Sequence, residues 1–582
     1  MVVLVVLSAC VRAPPAAPPK AAPVPAVRVD SVPVVEEIAN PAPDIEVLLS
    51  RMSLEDKVGQ LMMVGFPGKA VDPAITELVR GYRVGGVCVF GRNIASAMQI
   101  GRLNDEVRAL MADSVPPFIA VDQEGGNVVR LSDGNLVLPG NMVLGASRQP
   151  ELAYEAGLAQ GEDLRRLGFN MNLAPVLDVN SNPLNPVIGI RSFGDDVGLV
   201  SEMGARFVAG QQAAHIVTVA KHFPGHGAVD ADSHKSLPIV RAPVLQVRQQ
   251  LKPFKAAMEA GLDGLMTAHI ATPTLTGDEL PATLSARVLG GVLRDELQFK
   301  GLVITDELEM DAIDRRYGVG RAAVLAVVAG ADMVLIPWRL EKKEEVWAAL
   351  LEASRSGELP RARLDEAVRR ILTVKIARGL FEPLPPLETR LALLGEKRDL
   401  ANRIASAGVT LLRTKPGLFP VQAQKRVAVI STEASLITSM GKRFPHLTSL
   451  LVPAIPAARM RDELKQQARA LAEGADVVVV AVTNSRQLEL VTNASLSGKP
   501  VITVVLGLPY LAAQAHESKV VLATYSYREA ATEAAAQAIA GETGTPGRLP
   551  VALPSLPYGH GLDPVGHRIA AKLAAPAAVG VP

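Results

Sequence analysis

Residues 46 to 380 alternate short apolar segments with amphipathic helical stretches. Eight of the apolar segments have the length and composition of buried strands. They are Leu61–Phe66, Val87–Phe90, Phe118–Val121, Met171–Ala174, Val217–Ala220, Gly264–Thr267, Leu302–Thr305 and Met333–Ile336. Buried strands that alternate with helices form parallel sheets, and a set of eight can close into a barrel. The sequence therefore predicts an α/β fold whose N-terminal domain, residues 46 to 380, is a (β/α)8 TIM-like barrel.

A second series of apolar segments follows a proline-rich break at residues 381 to 386. Its members are Val427–Ile430, Val477–Val482, Val501–Leu506 and Val520–Thr524, with helical segments between them. Such a series predicts a mostly parallel sheet covered by helices. The predicted organisation after the barrel is a linker at residues 381–398, a smaller α/β sandwich domain at 399–556, and a loosely ordered tail at 557–582.

The loop after Val217–Ala220 crowds a lysine, three histidines and two aspartates into fourteen positions, Lys221 to His234, which read KHFPGHGAVDADSH. Pro224 lacks a backbone donor and the two glycines loosen the chain, so this segment can hardly be helical. Barrel enzymes build their active sites in the loops at the carboxyl ends of strands. This loop is therefore the first candidate for a functional site.

The histidines of this loop allow more than one interpretation. His222 and His226 are four residues apart, a spacing that suits two metal ligands on a helix, but Pro224-Gly225 between them breaks a helix. The simplest alternative is that they satisfy polar groups of the loop. Asp232 and His234 differ, because side chains two residues apart in an extended segment can share one side. A carboxylate bonded to one imidazole nitrogen fixes the tautomer and makes a general acid/base near neutral pH.

A second candidate residue, Asp306, follows the apolar segment Leu302–Ile304. In a barrel this position lies at the end of the strand that faces a ligand. Aspartate is also a common first residue before a helix, and Leu308, Met310 and Ile313 have helical spacing. The spacing alone leaves both interpretations open.

Taken together, these motifs resemble glycoside hydrolase family 3, and within it the bacterial β-N-acetylglucosaminidase branch. The resemblance rests on KHFPGHG with its trailing D-x-S-H and on V-I-T-D-x-L-x-M around Asp306. Further matching blocks occur in order along the chain: Leu54–Leu61, Gly85–Val87, Phe90–Asn93, Val121–Gly126 and Ile190–Gly194. A run of matching blocks is far more specific than any single short motif.

The resemblance implies a retaining mechanism through a covalent glycosyl-enzyme, in which Asp306 is the nucleophile. It also implies that His234 is the acid/base and that Asp232 is its partner. Most retaining glycosidases use a second carboxyl group for this role. An imidazole in its place reduces repulsion of an anionic acceptor, so phosphate could compete with water.

The resemblance further implies five sugar-binding residues, which are Asp122, Arg130, Arg191, Lys221 and His222. The alternative for each is an ion pair that shapes the pocket without touching a ligand, and for Asp122 also a helix cap or a buried structural carboxylate. One position departs from the branch, because Asn127 stands where arginine is usual. A positive charge beside the pocket is therefore missing.

The implied activity is a β-N-acetylhexosaminidase that removes terminal β-linked N-acetylglucosamine from peptidoglycan-derived fragments. A phosphorylase or a β-glucosidase on the same scaffold, or a non-catalytic glycan-binding lipoprotein, are the alternatives. The resemblance implies neither a metal nor an organic cofactor. Lys and Arg number 60 against 59 Asp and Glu, a balance that offers no field for nucleic acid.

The N-terminus predicts a lipid anchor. Residues 1 to 7 are apolar but far too few to span a membrane, and Leu7-Ser8-Ala9-Cys10 resembles a bacterial lipobox, in which Cys10 is lipidated. Residues 11 to 45 form a proline- and alanine-rich tether. The segment has no lysine or arginine before Leu7, which a start codon assigned too late would explain. We expect a lipid-anchored envelope protein, with a soluble secreted or cytoplasmic protein as the alternative.

Overall fold

The predicted barrel is confirmed in a computed structural model, which describes residues 43–132, 137–394 and 397–564. Eight parallel strands pair in sequence order, and the first closes the barrel against the eighth, with Met62 opposite Val334. The strands are β1 (Met62–Gly65), β2 (Gly86–Val89), β3 (Phe118–Val121), β4 (Met171–Asn172), β5 (Val217–Phe223), β6 (Gly264–Thr267), β7 (Leu302–Glu307) and β8 (Met333–Ile336).

Helices surround these strands and protect their apolar residues from water. In chain order they are α1 (Ile45–Arg51), α2 (Leu54–Gln60), α3 (Pro73–Thr76), α4 (Ala97–Ala109), α5 (Asn141–Ser147), α6 (Pro150–Arg166), α7 (Val197–Ala213), α8 (Val244–Gln250), α9 (Lys252–Glu259), α10 (Pro273–Thr276), α11 (Asp311–Tyr317), α12 (Val319–Ala329), α13 (Leu340–Ser356) and α14 (Arg361–Ala377). Two π-helical segments, Glu77–Gly81 and Arg287–Glu296, lie among them, together with 3-10 turns at Gly91–Asn93, Gly189–Arg191 and Ala282–Leu284.

Three barrel strands end two or more residues away from their predicted carboxyl ends. Strands β5 and β7 continue through polar residues, to Phe223 and Glu307. Two of these polar side chains have partners in the barrel mouth, Asp122 for Lys221 and the Trp338 indole for Glu307. Strand β4 is shorter and stops at Asn172, ahead of Pro175, which has no N–H to donate to a ladder. The polar residues at the ends of β5 and β7 lie where the strand pairing is interrupted, since the register shifts between Ala220 and Phe223 and between Ile304 and Glu307.

The second domain is the predicted α/β sandwich with a mostly parallel sheet. Its strand order is β11-β10-β12-β13-β14-β9, and only β9 is antiparallel to its neighbour. The strands are β9 (Thr410–Arg413), β10 (Val427–Ser431), β11 (Leu447–Leu451), β12 (Val477–Val482), β13 (Val501–Val505) and β14 (Val520–Ala523). The helices are α16 (Arg398–Gly408), α17 (Ala434–Gly441), α18 (Arg461–Glu473), α19 (Leu488–Ser495) and α20 (Glu529–Ala540), with 3-10 turns at Ala458–Met460, Ser485–Gln487 and Pro509–Gln514.

The two strands that the sequence did not predict, β9 and β11, are the edges of this sheet. An edge strand has a partner on one side only, and β11 is partly exposed along its whole length, so it lacks the continuous apolar run of a central strand. Strand β9 is mostly buried, but two of its four residues, Thr410 and Arg413, are polar, so it too lacks a continuous apolar run.

The segments around the second domain are more ordered than predicted. Within the predicted linker, helix α15 (Leu387–Ala392) anchors to the barrel through Arg390, which pairs with Asp105. In the predicted loose tail, Leu562 donates its N–H to the Leu411 carbonyl and His560 Nε2 lies 3.0 Å from the Leu412 carbonyl, so residues 557 to 562 extend the pairing of β9. The predicted signal segment with Cys10, and the tether up to residue 42, lie outside the described residues. Within the described ranges, no helix is long and apolar enough to cross a membrane.

The amino-terminal end of the barrel is organised around one buried carboxylate, Asp332, just before β8. It accepts from Arg294 at 2.9 Å, Arg363 at 2.7 Å and Arg370 at 3.0 Å, and from the Val303 N–H of β7 at 3.0 Å. The three arginines come from the π-helical segment and from α14. Because the Asp332 side chain is fully buried, its charge is balanced only by these cations.

Asp332→Asn is expected to lower the free energy of unfolding by about 3–5 kcal/mol, because three arginines lose a buried partner. Chemical denaturation measures this change. Asp311→Asn is the matched control, since the side chains of Arg315 and Asp311 are 74% and 35% exposed and loss of their pair should cost no more than about 1 kcal/mol. Equal effects of the two substitutions would contradict a structural role for the Asp332 cluster.

Candidate active site

The side chain of Lys221, near the end of β5, is the centre of the site at the carboxyl end of the barrel. Its Nζ lies 2.5 Å from Asp122 Oδ1 and 2.8 Å from Glu124 Oε1, both on the loop after β3. The lysine side chain is only 3% exposed, so the charge is paired inside the protein. Burial lowers the pKa of Lys221, but Asp122 and Glu124 outweigh it and raise that pKa above its ordinary value.

Glu124 joins this lysine to Arg191, which ends a 3-10 turn. The guanidinium and carboxylate form a two-bond pair, with Arg191 Nε 2.9 Å from Oε2 and Nη2 2.8 Å from Oε1. Burial favours the neutral acid, but Arg191 and Lys221 hold the pKa of Glu124 far below its ordinary value. The positive charges of Lys221 and Arg191 therefore balance the negative charges of Asp122 and Glu124. Of the four, Glu124 was not predicted as a site residue, although it lies in the matched block Val121–Gly126.

His222 is fixed by a buried aspartate that the sequence did not identify, Asp178. Asp178 Oδ2 lies 2.7 Å from His222 Nδ1, and Oδ1 accepts the His226 N–H at 2.6 Å. Burial raises the pKa of Asp178, but the two histidines lower it by more, so it is ionised. A carboxylate can only accept, so His222 donates from Nδ1. Its Nε2 then faces Arg191, whose Nη2 is 3.5 Å away.

His226 turns to a different partner from His222. Its Nε2 lies 3.0 Å from Ser233 Oγ, and burial lowers its pKa to about 4, so the ring is neutral at pH 7. The two imidazole rings lie 6.0 Å apart with separate partners, Asp178 and Ser233. In this arrangement both histidines organise the loop that carries Asp232 and His234.

The predicted Asp232–His234 pair is present. His234 Nδ1 lies 2.8 Å from Asp232 Oδ1, and the same oxygen accepts the His234 N–H at 3.0 Å. The imidazole side chain is 59% exposed, and its Nε2 has no hydrogen-bond partner among the described residues. Burial raises the pKa of Asp232, but the two hydrogen bonds and the charge of His234 together lower it below its ordinary value. The pair therefore presents an orientated imidazole whose outer nitrogen is available to a ligand.

Asp306 is the second-to-last residue of β7. Its Oδ1 accepts the N–H of Glu307 at 2.9 Å. Burial raises its pKa, but His269, His222, that N–H and Lys221 together lower it below the ordinary value, so the carboxylate is ionised. The next helix, α11, begins only at Asp311, with Met310 before it. The interpretation of Asp306 as a helix cap is therefore wrong.

Backbone irregularities occur at both strand ends that carry these residues. The pairing of β5 with β6 shifts register between Ala220 and Phe223, and that of β7 with β8 shifts between Ile304 and Glu307. Such shifts change where a side chain points and are common beside active sites. Because of these shifts, the alternation of side chains along a regular strand could not have predicted which way Lys221, His222 and Asp306 point.

A third histidine, His269, is close enough to Asp306 to lower the pKa of that carboxyl group. It follows β6 and is fully buried, with Nδ1 2.8 Å from Thr283 Oγ1 and Nε2 3.0 Å from the Glu307 carbonyl. Burial lowers its pKa. The sequence offered a signal for it, because His269 stands two residues beyond the predicted strand Gly264–Thr267.

Arg130 and Asn127 lie on the loop that also carries Asp122. Arg130 is partly buried, its N–H is bonded to Gln123 Oε1, and its buried Nε has no partner among the described residues, as expected for a group that binds a ligand. Asn127 is exposed. Beside it, the second domain contributes Arg528, whose Nε donates to the Gly126 carbonyl at 2.7 Å. A guanidinium from the second domain therefore lies next to the position where the branch usually has an arginine.

The neighbour of Asp306, Glu307, has a very different environment. Burial, and next the charge of Asp306, raise its pKa to about 7, although a hydrogen bond from Trp338 Nε1 at 2.8 Å opposes the shift. Asp122 raises that pKa further and His234 lowers it, so Glu307 lies within the electrostatic reach of both. Asp306 is thus ionised, while the adjacent Glu307 keeps its proton up to neutral pH.

Comparison with known proteins assigns this fold and site to a family. Residues 53–374 match the glycosyl hydrolase family 3 N-terminal domain, and residues 409–560 match the family 3 C-terminal domain. The matched regions take in all eight barrel strands and the sheet of the second domain. The protein is thus built as a glycosidase, and the chain belongs to glycosyl hydrolase family 3.

Individual relatives agree with this assignment. The chain is 33% identical over 386 residues to β-hexosaminidase A of Pseudoalteromonas piscicida, and this alignment covers 61% of this chain and 63% of that protein. It is 38% identical over 261 residues to the β-hexosaminidase of Nitrosomonas eutropha, covering 44% of this chain and 73% of the relative. A solved family 3 β-N-acetylglucosaminidase from Paenibacillus sp. FPU-7 superposes with a TM-score of 0.81 at 35% identity, covering 86% of this chain and 99% of that one.

Glu307→Gln is expected to change the pH dependence of stability. The folded state holds the Glu307 proton up to about pH 7, whereas an unfolded glutamate releases it near 4.5, so wild-type stability falls between these values. Glutamine keeps the Trp338 bond without a charge. The variant should gain about 3 kcal/mol relative to wild type at about pH 8 and little at about pH 4.5, by thermal or chemical unfolding. Glu358→Gln, at an exposed glutamate, is the control. An equal gain at both pH values would contradict the raised pKa.

Proposed function

We propose that the protein is a retaining β-N-acetylhexosaminidase that removes terminal β-linked N-acetylglucosamine from peptidoglycan-derived fragments. The observation that carries the proposal is an ionised Asp306 at the end of β7, on the same barrel face as the Asp232–His234 pair. The β-hexosaminidase relatives and the family 3 β-N-acetylglucosaminidase structure support the same substrate class.

In this proposal the charged cluster orients the sugar. Asp122 and Glu124 accept from Lys221, and their remaining lone pairs accept sugar hydroxyls, while Arg130 and Arg191 donate. His222, fixed through Nδ1, presents Nε2 to the ligand. Such groups hold the anomeric carbon over Asp306 without any movement of the cluster, which reduces the entropy cost of reaction.

The reaction then proceeds in two steps. An oxygen of Asp306 attacks the anomeric carbon, the bond from that carbon to the leaving oxygen breaks, and His234 Nε2 gives its proton to that oxygen. In the second step His234 takes a proton from water, the water oxygen bonds to the anomeric carbon, and Asp306 is released as a carboxylate. Asp232 stabilises the imidazolium that the first step requires.

Phosphorolysis is the second candidate, because the acid/base is an imidazole. In the second step a carboxylate base would repel an incoming phosphate, whereas a neutral imidazole does not. The carboxylates Asp122 and Glu124 are already neutralised by Lys221 and Arg191, so they add little repulsion. Phosphate as acceptor would yield the sugar 1-phosphate in place of the free sugar.

Asp306→Ala is expected to lower kcat on 4-nitrophenyl N-acetyl-β-glucosaminide by at least about 10³-fold, because the covalent step is lost. His234→Ala should lose about 10²–10⁴-fold, the usual contribution of an acid/base. Azide should partly restore turnover of the His234 variant and yield a β-glycosyl azide, since azide needs no base.

The controls are Asp462→Ala and His446→Ala, which replace an exposed aspartate and an exposed histidine of the second domain. Unchanged activity of a folded Asp306→Ala protein would disprove the nucleophile. Free N-acetylglucosamine as the sole product, with or without phosphate, would exclude phosphorolysis. A wild type that is inactive on this substrate and on muropeptides, with phosphate present, would favour the glycan-binding alternative.

We also propose that the protein is anchored in the cell envelope through Cys10. The support is the lipobox-like Leu7-Ser8-Ala9-Cys10 followed by a tether of proline and alanine. Cys10→Ala should move the enzyme from the membrane fraction to the soluble fraction after cell lysis. An unchanged distribution between the fractions would count against the anchor.

A further inference from the structure

A tryptophan on the rim of the barrel stands out by its exposure. Trp338 follows β8, and 48% of its surface is accessible to water. The chain has only two tryptophans, and the other, Trp347, packs edge-on against Tyr82. A large aromatic surface left in water gains none of the free energy of burial. An exposed indole is therefore a stronger sign of a ligand-binding surface than an exposed aliphatic side chain.

The indole of Trp338 is nevertheless fixed in place. Its Nε1 donates to Glu307 at 2.8 Å, and its backbone N–H donates to Glu309 at 2.7 Å. The guanidinium carbon of Arg92 lies 4.3 Å from the indole centroid, and the Phe90 ring lies 4.8 Å away at 43°. Arg92 also contacts Phe90, with its guanidinium carbon 5.2 Å from that ring's centroid, so the two side chains hold the indole together and its exposed part keeps a defined orientation.

Arg92, which covers part of this indole, is itself immobilised. Its Nε donates to the Phe66 carbonyl at 3.1 Å and its Nη2 to the Pro337 carbonyl at 2.8 Å. These bonds join the loops after β1, β2 and β8. A rigid support of this kind lowers the entropy cost of stacking a ligand ring on the indole.

The position of Trp338 around the barrel separates it from the predicted sugar cluster. Asp122, Lys221 and the residues next to them come from β3 to β5, while Phe90, Arg92 and Trp338 come from β2 and β8. On one side of the closed barrel, β7 with Asp306 and Glu307 lies between β8 and the strands of the sugar cluster. On the other side, β2 pairs directly with β3, so Phe90 and Arg92 adjoin the loop of Asp122. The carboxyl of Glu307 links the two groups, since it accepts from the indole and senses the charges of Asp306 and Asp122.

We infer that Trp338 is the platform of a second carbohydrate-binding position, which takes the sugar ring attached to the departing oxygen of the substrate. This inference rests on the proposed glycosidase function. The C–H face of a pyranose stacks on an exposed indole, and the Glu307 carboxyl beside the ring can bond a hydroxyl of that sugar. The ligand class is therefore a disaccharide or longer glycan, with the N-acetylglucosamine at Asp306 and its neighbour on Trp338.

Two substrates separate this position from the catalytic one. N-acetyl-β-glucosaminyl fluoride has no second ring, whereas N,N′-diacetylchitobiose has one. For Trp338→Ala, kcat/KM on the disaccharide should fall about tenfold or more, while that on the fluoride should stay within about twofold of wild type. Trp338→Phe should retain part of the disaccharide activity. Leu340→Ala, at an exposed residue two positions further on, is the matched control.

A binding measurement keeps the inference testable without turnover. In an Asp306→Ala background, diacetylchitobiose should change the tryptophan fluorescence, the change should persist with Trp347→Phe, and it should disappear with Trp338→Phe. Equal losses on both substrates, no loss on either, or a fluorescence change that survives Trp338→Phe would overturn the platform. A wild type inactive on both substrates would count against the proposed function, and the titration would still decide the role of Trp338.

Discussion

The buried ammonium group of Lys221 organises the mouth of the barrel. It lies between Asp122 and Glu124, and Glu124 in turn holds Arg191, so four charges from one strand and two loops neutralise one another in a largely buried region. Without the cation, two neighbouring carboxylates would repel each other and could not both stay ionised at low cost. The extension of β5 into its polar residues and the place of the loop after β3 both depend on this pairing.

Charges and burial in this region also shift the pKa values of Asp306 and Glu307 in opposite directions. His222, His269 and Lys221 favour the charged form of Asp306, whereas that charge and burial keep the adjacent Glu307 protonated up to neutral pH. Neighbouring carboxyl groups pushed in opposite directions are typical of acid–base sites. Asp232 and His234 lie nearer to solvent, where an imidazole can exchange protons with water and with a leaving group.

The sequence predicted the parts of the molecule that depend on local pattern. All eight barrel strands and the four central strands of the second domain overlap an apolar segment of the sequence, while the edge strands Thr410–Arg413 and Leu447–Leu451 lie outside the predicted segments. The Asp232–His234 pair followed from its spacing. Asp178, His269 and Arg528 were missed because their partners come from distant parts of the chain, and the resemblance to family 3 supplied roles that spacing alone could not assign.

The most decisive measurement is the mass of the protein after reaction with a 5-fluoro-N-acetyl-β-glucosaminyl fluoride, a substrate whose second step is slow. A covalent mechanism predicts one sugar unit attached to the protein, as an ester on the peptide that contains Asp306, and no adduct on Asp306→Ala. An ester on Glu307 would contradict the assignment of the nucleophile. Turnover of the natural linkage without any adduct would point to the substrate's own acetamide as the nucleophile, and would contradict the glycosyl-enzyme.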